Sequence, residues 1–271
     1  MQSPRTNLPS NFLPEWLLPV LLLEWAALAG AESDLDVVEL FAGEAEVSKS
    51  CEACDLKVVA VDALHGTAEA NLQTLRGVRY AISMILRLKA GALLWLAPPC
   101  SGWVFLSSSC HKRNSSNDYR GNRRNPGVAA DNSLAHVVAA LCRLASWWGI
   151  TFILEQPADS VLFNFGCVKK ALNMCGAIFT RTFAQAFDPS FPIRKPFRLA
   201  ATAVWASSLR RNKPWTSTVG HGCYTVDSDG RVSGHRSLSE TAAYPHEFGQ
   251  AAAGLAWQLS SSFVSDTSNY R

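Results

Sequence analysis

From residue 34 onward, short and nearly continuous apolar runs alternate with longer stretches of helical periodicity. The runs at 36–41, 57–61, 92–97 and 150–154 have the length and the β-branched or leucine-rich content of buried strands. Two further strands are predicted at 177–187 and 197–205. The intervening segments read as helices: 44–54, 67–89 with a break near Gly77, 131–148 with Asp131 as N-cap, 159–175 in two pieces, and a closing helix at 248–263. Residues 107–127 are polar and form a loop. Strands separated by helices of this length predict an α/β fold, a mainly parallel twisted sheet covered by helices on both faces. No internal repeat and no long linker interrupts the pattern, so residues 34–263 make one domain, preceded by an extension at 1–33 and followed by a flexible tail at 264–271.

The extension contains the apolar stretch Leu17-Leu18-Pro19-Val20-Leu21-Leu22-Leu23, with Arg5 upstream. That is the outline of a signal sequence, but Pro14, Glu15, Pro19 and Glu24 break it, and it is too short to span a bilayer. The preferred expectation is a short helix over 19–29 packed on the core, in a protein with no membrane partner. Composition adds little constraint: 271 residues, 48% hydrophobic and 17% charged, suit a folded domain with a sizeable core. A net charge of +3 permits a nucleic-acid partner without demanding one. The eight cysteines do not form the framework of a small secreted domain, so reduced thiols in an intracellular protein are expected. Cys51 and Cys54 form a C-x-x-C with no second pair to complete a zinc site, and no metal is expected. Nothing specifies an oligomeric state.

Candidate chemistry gathers at the strand ends. The run Leu94-Trp95-Leu96-Ala97 stops at Pro98-Pro99, which cannot extend a ladder, and delivers Cys100 and Ser101. The run 150–154 ends in Glu155-Gln156-Pro157. Open α/β sheets place ligands beyond the carboxyl ends of their strands, so Cys100 and Glu155 can share one cleft as nucleophile and proton donor. The other readings are a buried turn cysteine and a glutamate that caps the next helix or pairs with an arginine. The first strand leads into Phe41-Ala42-Gly43-Glu44, where a glycine lets the backbone approach a ligand. Asp62 ends the second strand, 23 positions after Glu39; it is placed either to accept from ribose hydroxyls or to cap the next segment.

Leu40-Phe41-Ala42-Gly43, Val61-Asp62, Pro98-Pro99-Cys100-Ser101 and Leu154-Glu155-Gln156-Pro157 occur in the order and spacing of the cytosine-5 methyltransferases. Over roughly residues 34–258 the chain resembles a compact, divergent member of that family, similar to short methyltransferase-like proteins of unicellular algae. The resemblance implies a Rossmann-like class I fold and S-adenosylmethionine as cofactor. Phe41, Ala42, Gly43, Asp62, Pro98 and Pro99 would then bind the cofactor, Cys100 would attack carbon 6 of cytosine in DNA or RNA, and Glu155 would hold N3 and supply its proton. Several positions depart from the family: Ser101 replaces Gln, Gln156-Pro157 replaces Asn-Val, and Ala45 replaces a second glycine. The expected Arg-x-Arg pair is matched only loosely by Arg194 to Arg198, and Tyr244-Pro245 to Gln250 faintly resembles the late motifs. Between Trp205 and Ser237 there is too little chain for a full target-recognition domain.

The most basic stretch follows the Cys100 turn directly. Lys112, Arg113, Arg120, Arg123 and Arg124 are opposed only by Asp118, and with Ser101 and Arg194 they are the expected substrate contacts. Such a loop either clamps phosphates over an extruded base or is a solvated loop. Trp147 and Trp148 on the long helix read as packing residues, and His136 as a satisfied core or surface histidine rather than a ligand. The two functions in view are a methyl-transferring enzyme and a binding or scaffold protein that keeps the fold without turnover. Amino-methylation of adenine is disfavoured because Ala97 and Cys100 stand where that chemistry needs an acidic or amide residue and an aromatic.

Overall fold

The computed structural model describes residues 13–27, 33–191, 195–211, 224–226, 228, 232–234 and 243–267. A six-stranded sheet organises them: β1 (Leu35–Leu40), β2 (Val58–Val61), β3 (Leu88–Leu96), β4 (Thr151–Pro157), β5 (Ile178–Phe183) and β6 (Pro196–Ala201), in the order β2-β1-β3-β4-β6-β5. The pairs β1–β2, β1–β3 and β3–β4 are parallel. β6 is inserted between β4 and β5 and runs antiparallel to both, so the α/β sheet is mixed rather than parallel throughout. The reason lies in the connection: among its described residues, the chain turns from Phe183 back to Pro196 with a 3₁₀ turn at Ala184–Ala186 and no α-helix. A parallel return needs a crossover of a dozen or more residues, usually helical.

Each buried strand is apolar on both faces, because each face carries helices. Val38, Leu40, Leu94, Leu96, Phe152 and Leu154 pack in one core with α3 (Leu75–Leu86), α5 (Pro126–Trp147) and α6 (Gly166–Met174). Val37, Leu93, Trp95, Ile153, Phe197 and Leu199 pack in the other with α2 (Glu46–Glu52) and α7 (His246–Thr267). The extension contributes α1 (Leu17–Ala27), which buries Leu17 and Leu21 and sets Glu24 against Arg79 of α3 at 2.6 Å. α5 is long and apolar enough to cross a membrane by length and composition, but over half of that stretch is buried within the fold, as befits a core helix.

Two predicted boundaries move. The long helix begins at Pro126, not at Asp131: Asn125 caps it, its side chain accepting from the Gly127 amide at 2.9 Å, with proline at the first helical position. Asp131 lies inside α5 and faces Arg113. Gly77 does not break its helix. It sits near the start of α3, where a Cβ would lie 2.0 Å from the Asn71 carbonyl oxygen, so only glycine lets the preceding turn close against the helix. The polar loop carries a short helix, α4 (Ser108–His111), and a 3₁₀ turn at Ser115–Asn117. A small hairpin, β7 (Tyr224–Val226) with β8 (Val232–Gly234), stands apart from the main sheet. Of the eight cysteines, seven are described, and no disulfide joins any two of them.

Candidate active site

The chain leaves β1 outward to β2 and returns to place β3 on the opposite side of β1, so the strand order reverses between β1 and β3. Crevices at such a reversal, beyond the strand carboxyl ends, are the usual ligand site of open α/β sheets. The turn after β1 is unusual there. Phe41 (φ +62°), Gly43 (φ +54°) and Ala45 (φ +56°) are all left-handed. Glycine adopts this freely, but a phenylalanine held there is strained, a feature that concentrates at binding sites. The turn is tied to the end of β2: the Phe41 and Ala42 amides donate to the Val61 carbonyl, and the Gly43 amide donates to Asp62 Oδ2 at 2.8 Å. Asp62 Oδ1 accepts from the Leu64 amide, also at 2.8 Å. Asp62 therefore serves as cap and brace, with both oxygens on backbone amides.

A cavity of about 190 Å³ opens beside this turn. Its walls are the Phe41–Glu46 turn, Ala97 to Cys100 after β3, Glu155 to Pro157 of β4, Lys195, and Tyr244 from the start of α7. Cys100 and Glu155 thus meet across one opening. Alternation along β4 explains the placement: Ile153 and Glu155 share the face toward α7, while Leu154 and Gln156 face α5 and the 3₁₀ turn at Val161–Asn164. Glu155 Oε2 accepts from the Tyr244 hydroxyl at 2.9 Å, and that hydroxyl in turn accepts from Trp95 Nε1 at 3.4 Å. Glu155 Oε1 is buried and has no hydrogen-bond partner among the described residues. Burial pushes the Glu155 carboxyl up to about 7, against the opposing pull of Lys195 and of the Tyr244 hydrogen bond. Burial likewise raises the Cys100 thiol; the Glu155 carboxylate adds to the rise and Lys195 opposes it.

Gln156, a departure from the family pattern in the sequence, holds this geometry. Its Nε2 donates to the Pro98 carbonyl at 2.5 Å, and its Oε1 accepts from Ser160 Oγ at 2.9 Å. Pro98 is buried by this contact while Pro99 is exposed, and the Trp103 amide closes the turn on the Cys100 carbonyl at 2.8 Å. β3 and β4 are thereby joined just where they deliver their thiol and carboxyl groups.

The expected substrate contacts divide. Arg113 is a correction: its side chain is only 3% exposed, stacks 3.6 Å over the Trp103 ring, and donates to the Gly102 and Tyr119 carbonyls and to Asn132. A guanidinium so enclosed anchors the loop and does not reach a phosphate. Lys112, Arg120, Arg123 and Arg124 are exposed, Arg120 beside Asp118 at 3.6 Å, and none lines the cavity. Ser101 is exposed and does not line the cavity, and Arg194 lies outside the described residues. Lys195 lines the cavity instead. The sequence signalled Tyr244 only weakly, through its place before Pro245 at a helix start, and its partner lies 89 residues away.

No family model and no curated protein matches this chain. Among solved structures, it is similar to an Entamoeba histolytica methyltransferase, EhMeth, with a TM-score of 0.40 and 14% identity over 72% of this chain. That superposition spans 64% of the other chain's length.

Proposed function

We propose that this protein is an S-adenosylmethionine-dependent methyltransferase that acts on cytosine in nucleic acid, with Cys100 as nucleophile and Glu155 as the acid at N3. The supporting observation is the pair itself: a thiol and a carboxyl group from two adjacent strand ends that line one cavity, the carboxyl with its Oε1 buried and without a hydrogen-bond partner among the described residues. A carboxyl raised to about 7 can hold a proton near neutral pH and deliver it to a ring nitrogen. The Cys100 thiol adds its sulfur to carbon 6 while N3 gains a proton from Glu155, which recovers one from the thiol. The ring then carries an enamine, and carbon 5 becomes nucleophilic. When bound, S-adenosylmethionine supplies the methyl group that carbon 5 takes up. Loss of the carbon-5 proton to solvent and expulsion of the Cys100 thiolate restore the aromatic ring, and the proton on N3 returns to the thiolate through Glu155, so thiol and carboxyl end as they began.

The residues present suit such a donor. Glu44 and Glu46 line the cavity beside the proton-bearing Glu155, with Lys195 as the cation among its described walls. The left-handed turn at Phe41 to Ala45 brings backbone to the cavity wall beside Cys100. One observation favours a second reading, a binding protein without turnover. At about 190 Å³ the cavity is smaller than the roughly 300–1,000 Å³ usual for ligands of cofactor size, so catalysis requires it to widen.

The two readings separate in one experiment. S-adenosylhomocysteine should raise the melting midpoint by mass action. An oligonucleotide containing 5-fluorocytosine, given cofactor, should form a covalent adduct, because fluorine at carbon 5 leaves no proton to remove. An adduct absent in Cys100→Ser supports the enzyme. Cofactor binding with no adduct supports the silent protein, and neither response overturns both.

A further inference from the structure

α1 is apolar nearly all round: within Leu17–Ala27 the one charged residue is Glu24. A helix of that kind belongs inside a structure. Here it is covered on one side. Leu17, Leu21 and Glu24 are buried, whereas Leu18, Pro19, Leu22 and Leu23 are exposed, as is Trp16 in the turn that leads into the helix. At about 3.6 residues per turn these five positions fall in one sector of roughly 160°. Pro19 stands at its centre, with Trp16 and Leu23 to one side and Leu18 and Leu22 to the other. No step of the methyl transfer uses this face.

We infer that this face docks a second copy of the chain, the two α1 helices crossing antiparallel over Pro19 on a two-fold axis. The pattern is its own complement. Reversing the helix about Pro19 and Val20 sets Trp16 opposite Leu23 of the other copy and Leu18 opposite Leu22 of the other copy. A two-fold interface requires such reciprocal pairs, each made twice. The area agrees. Trp16 is 45% exposed, Leu18 44%, and Leu22 and Leu23 62% each. Side chains of that size leave roughly 400 Å² of apolar surface open, a patch large enough to mark an interaction site. Homodimer interfaces are about two-thirds apolar, so each copy would bury roughly 600 Å² and the pair about 1,200 Å², which reaches the range of stable complexes. A lipid surface suits the helix less well. Helices that lie on membranes carry lysine and arginine on the side away from the acyl chains. The side of α1 away from the exposed face is packed on the core, and the arginines of the adjoining α3, Arg76 and Arg79, are paired with Glu69 and Glu24.

The test is sedimentation equilibrium of the full chain up to tens of micromolar. Wild type should run at twice the 29.5 kDa mass of the chain. Leu18→Glu and Leu22→Lys alter exposed positions, so each should keep the wild-type melting midpoint of a dilute, monomeric sample. Each alone should raise the dissociation constant about a hundredfold, because a charge is set against a leucine at both symmetry-related contacts. Mixing the two variants should restore association to within about tenfold of wild type. In the mixed pair Glu at position 18 meets Lys at position 22 of the other copy, and the remaining contact is the original leucine pair. Leu64→Glu, at an equally exposed leucine after β2, should leave the dimer unchanged. A wild type that stays monomeric, a dimer indifferent to both α1 variants, or a mixture that fails to recover would overturn the inference. So would a monomer that floats with phosphatidylcholine–phosphatidylserine vesicles, which would assign the face to lipid. None of these readouts depends on whether Cys100 forms its adduct.

Discussion

Glu39 and Glu155 sit on the same face of the sheet, two strands apart, and their immediate surroundings match closely. Each is buried, each has one carboxyl oxygen in hydrogen bonds and the other without a partner among the described residues, and burial pushes each up to about 7. Glu39 Oε2 accepts from the Ser48 amide at 2.8 Å and its hydroxyl at 2.6 Å; Glu155 Oε2 accepts from Tyr244. What differs is access. Glu39 lies under α2 and α7 with no exposed surface, whereas Glu155 forms part of the cavity wall across from a thiol. A raised carboxyl by itself marks burial, and only an opening turns it into an acid that can meet a substrate.

The sharpest way to break this comparison is to neutralise each acid in turn. Glu155→Gln keeps the shape and removes the transferable proton, so the rate of 5-fluorocytosine adduct formation should fall by about a hundredfold or more. Glu39→Gln should leave that rate near the wild-type value, and equal losses would erase the distinction. Stability reports the same contrast from the other side. Because the folded value of Glu39 is raised from 4.5 to about 7, the native state holds a proton that the unfolded chain has released. Its contribution is complete at low pH and is lost as pH rises through about 7. Between about pH 5 and pH 8, wild type should therefore lose about 2 kcal/mol relative to Glu39→Gln in urea unfolding.

The seal over Glu39 can be opened without touching it. A Cβ on Gly249 of α7 would lie 2.6 Å from Ser50 Oγ and 2.8 Å from the Glu46 carbonyl, so Gly249→Ala must force α7 away from α2. A destabilisation of about 1–2 kcal/mol is expected, with adduct formation retained at temperatures where the variant is folded. The smallest effect belongs to Tyr244→Phe. The hydroxyl lowers the Glu155 value, so its loss should carry the falling, high-pH limb of the adduct rate to still higher pH and slow the reaction about tenfold. A pH profile left in place would show that Tyr244 only packs.

Legibility in the sequence followed the range of the interactions. Glu155 was readable because a buried strand ends at a proline and alternation decides which residue faces which helix. Cys100 was readable because Pro98-Pro99 can only end a strand. Arg113 misled, because five like charges in a polar loop look the same whether solvated or not. Its burial depends on Trp103 beneath it and Asn132 across from it. The antiparallel β6 was equally hidden, since a strand's direction is written in its connection and not in its side chains.

The order of strands and helices, the strand ends that carry thiol and carboxyl, and the strained turn beside them were determined by local chemistry: apolar runs, prolines, and a glycine past a strand. The tertiary structure alone decided that Tyr244 grips Glu155, that Gln156 clamps the Pro98 carbonyl, that Asp62 braces a turn, and that one of two matched glutamates is sealed while the other faces a cavity. Each of those outcomes depends on groups from different elements coming within about 3 Å of one another, and hydrogen bonding at that range follows from packing, which no local pattern encodes.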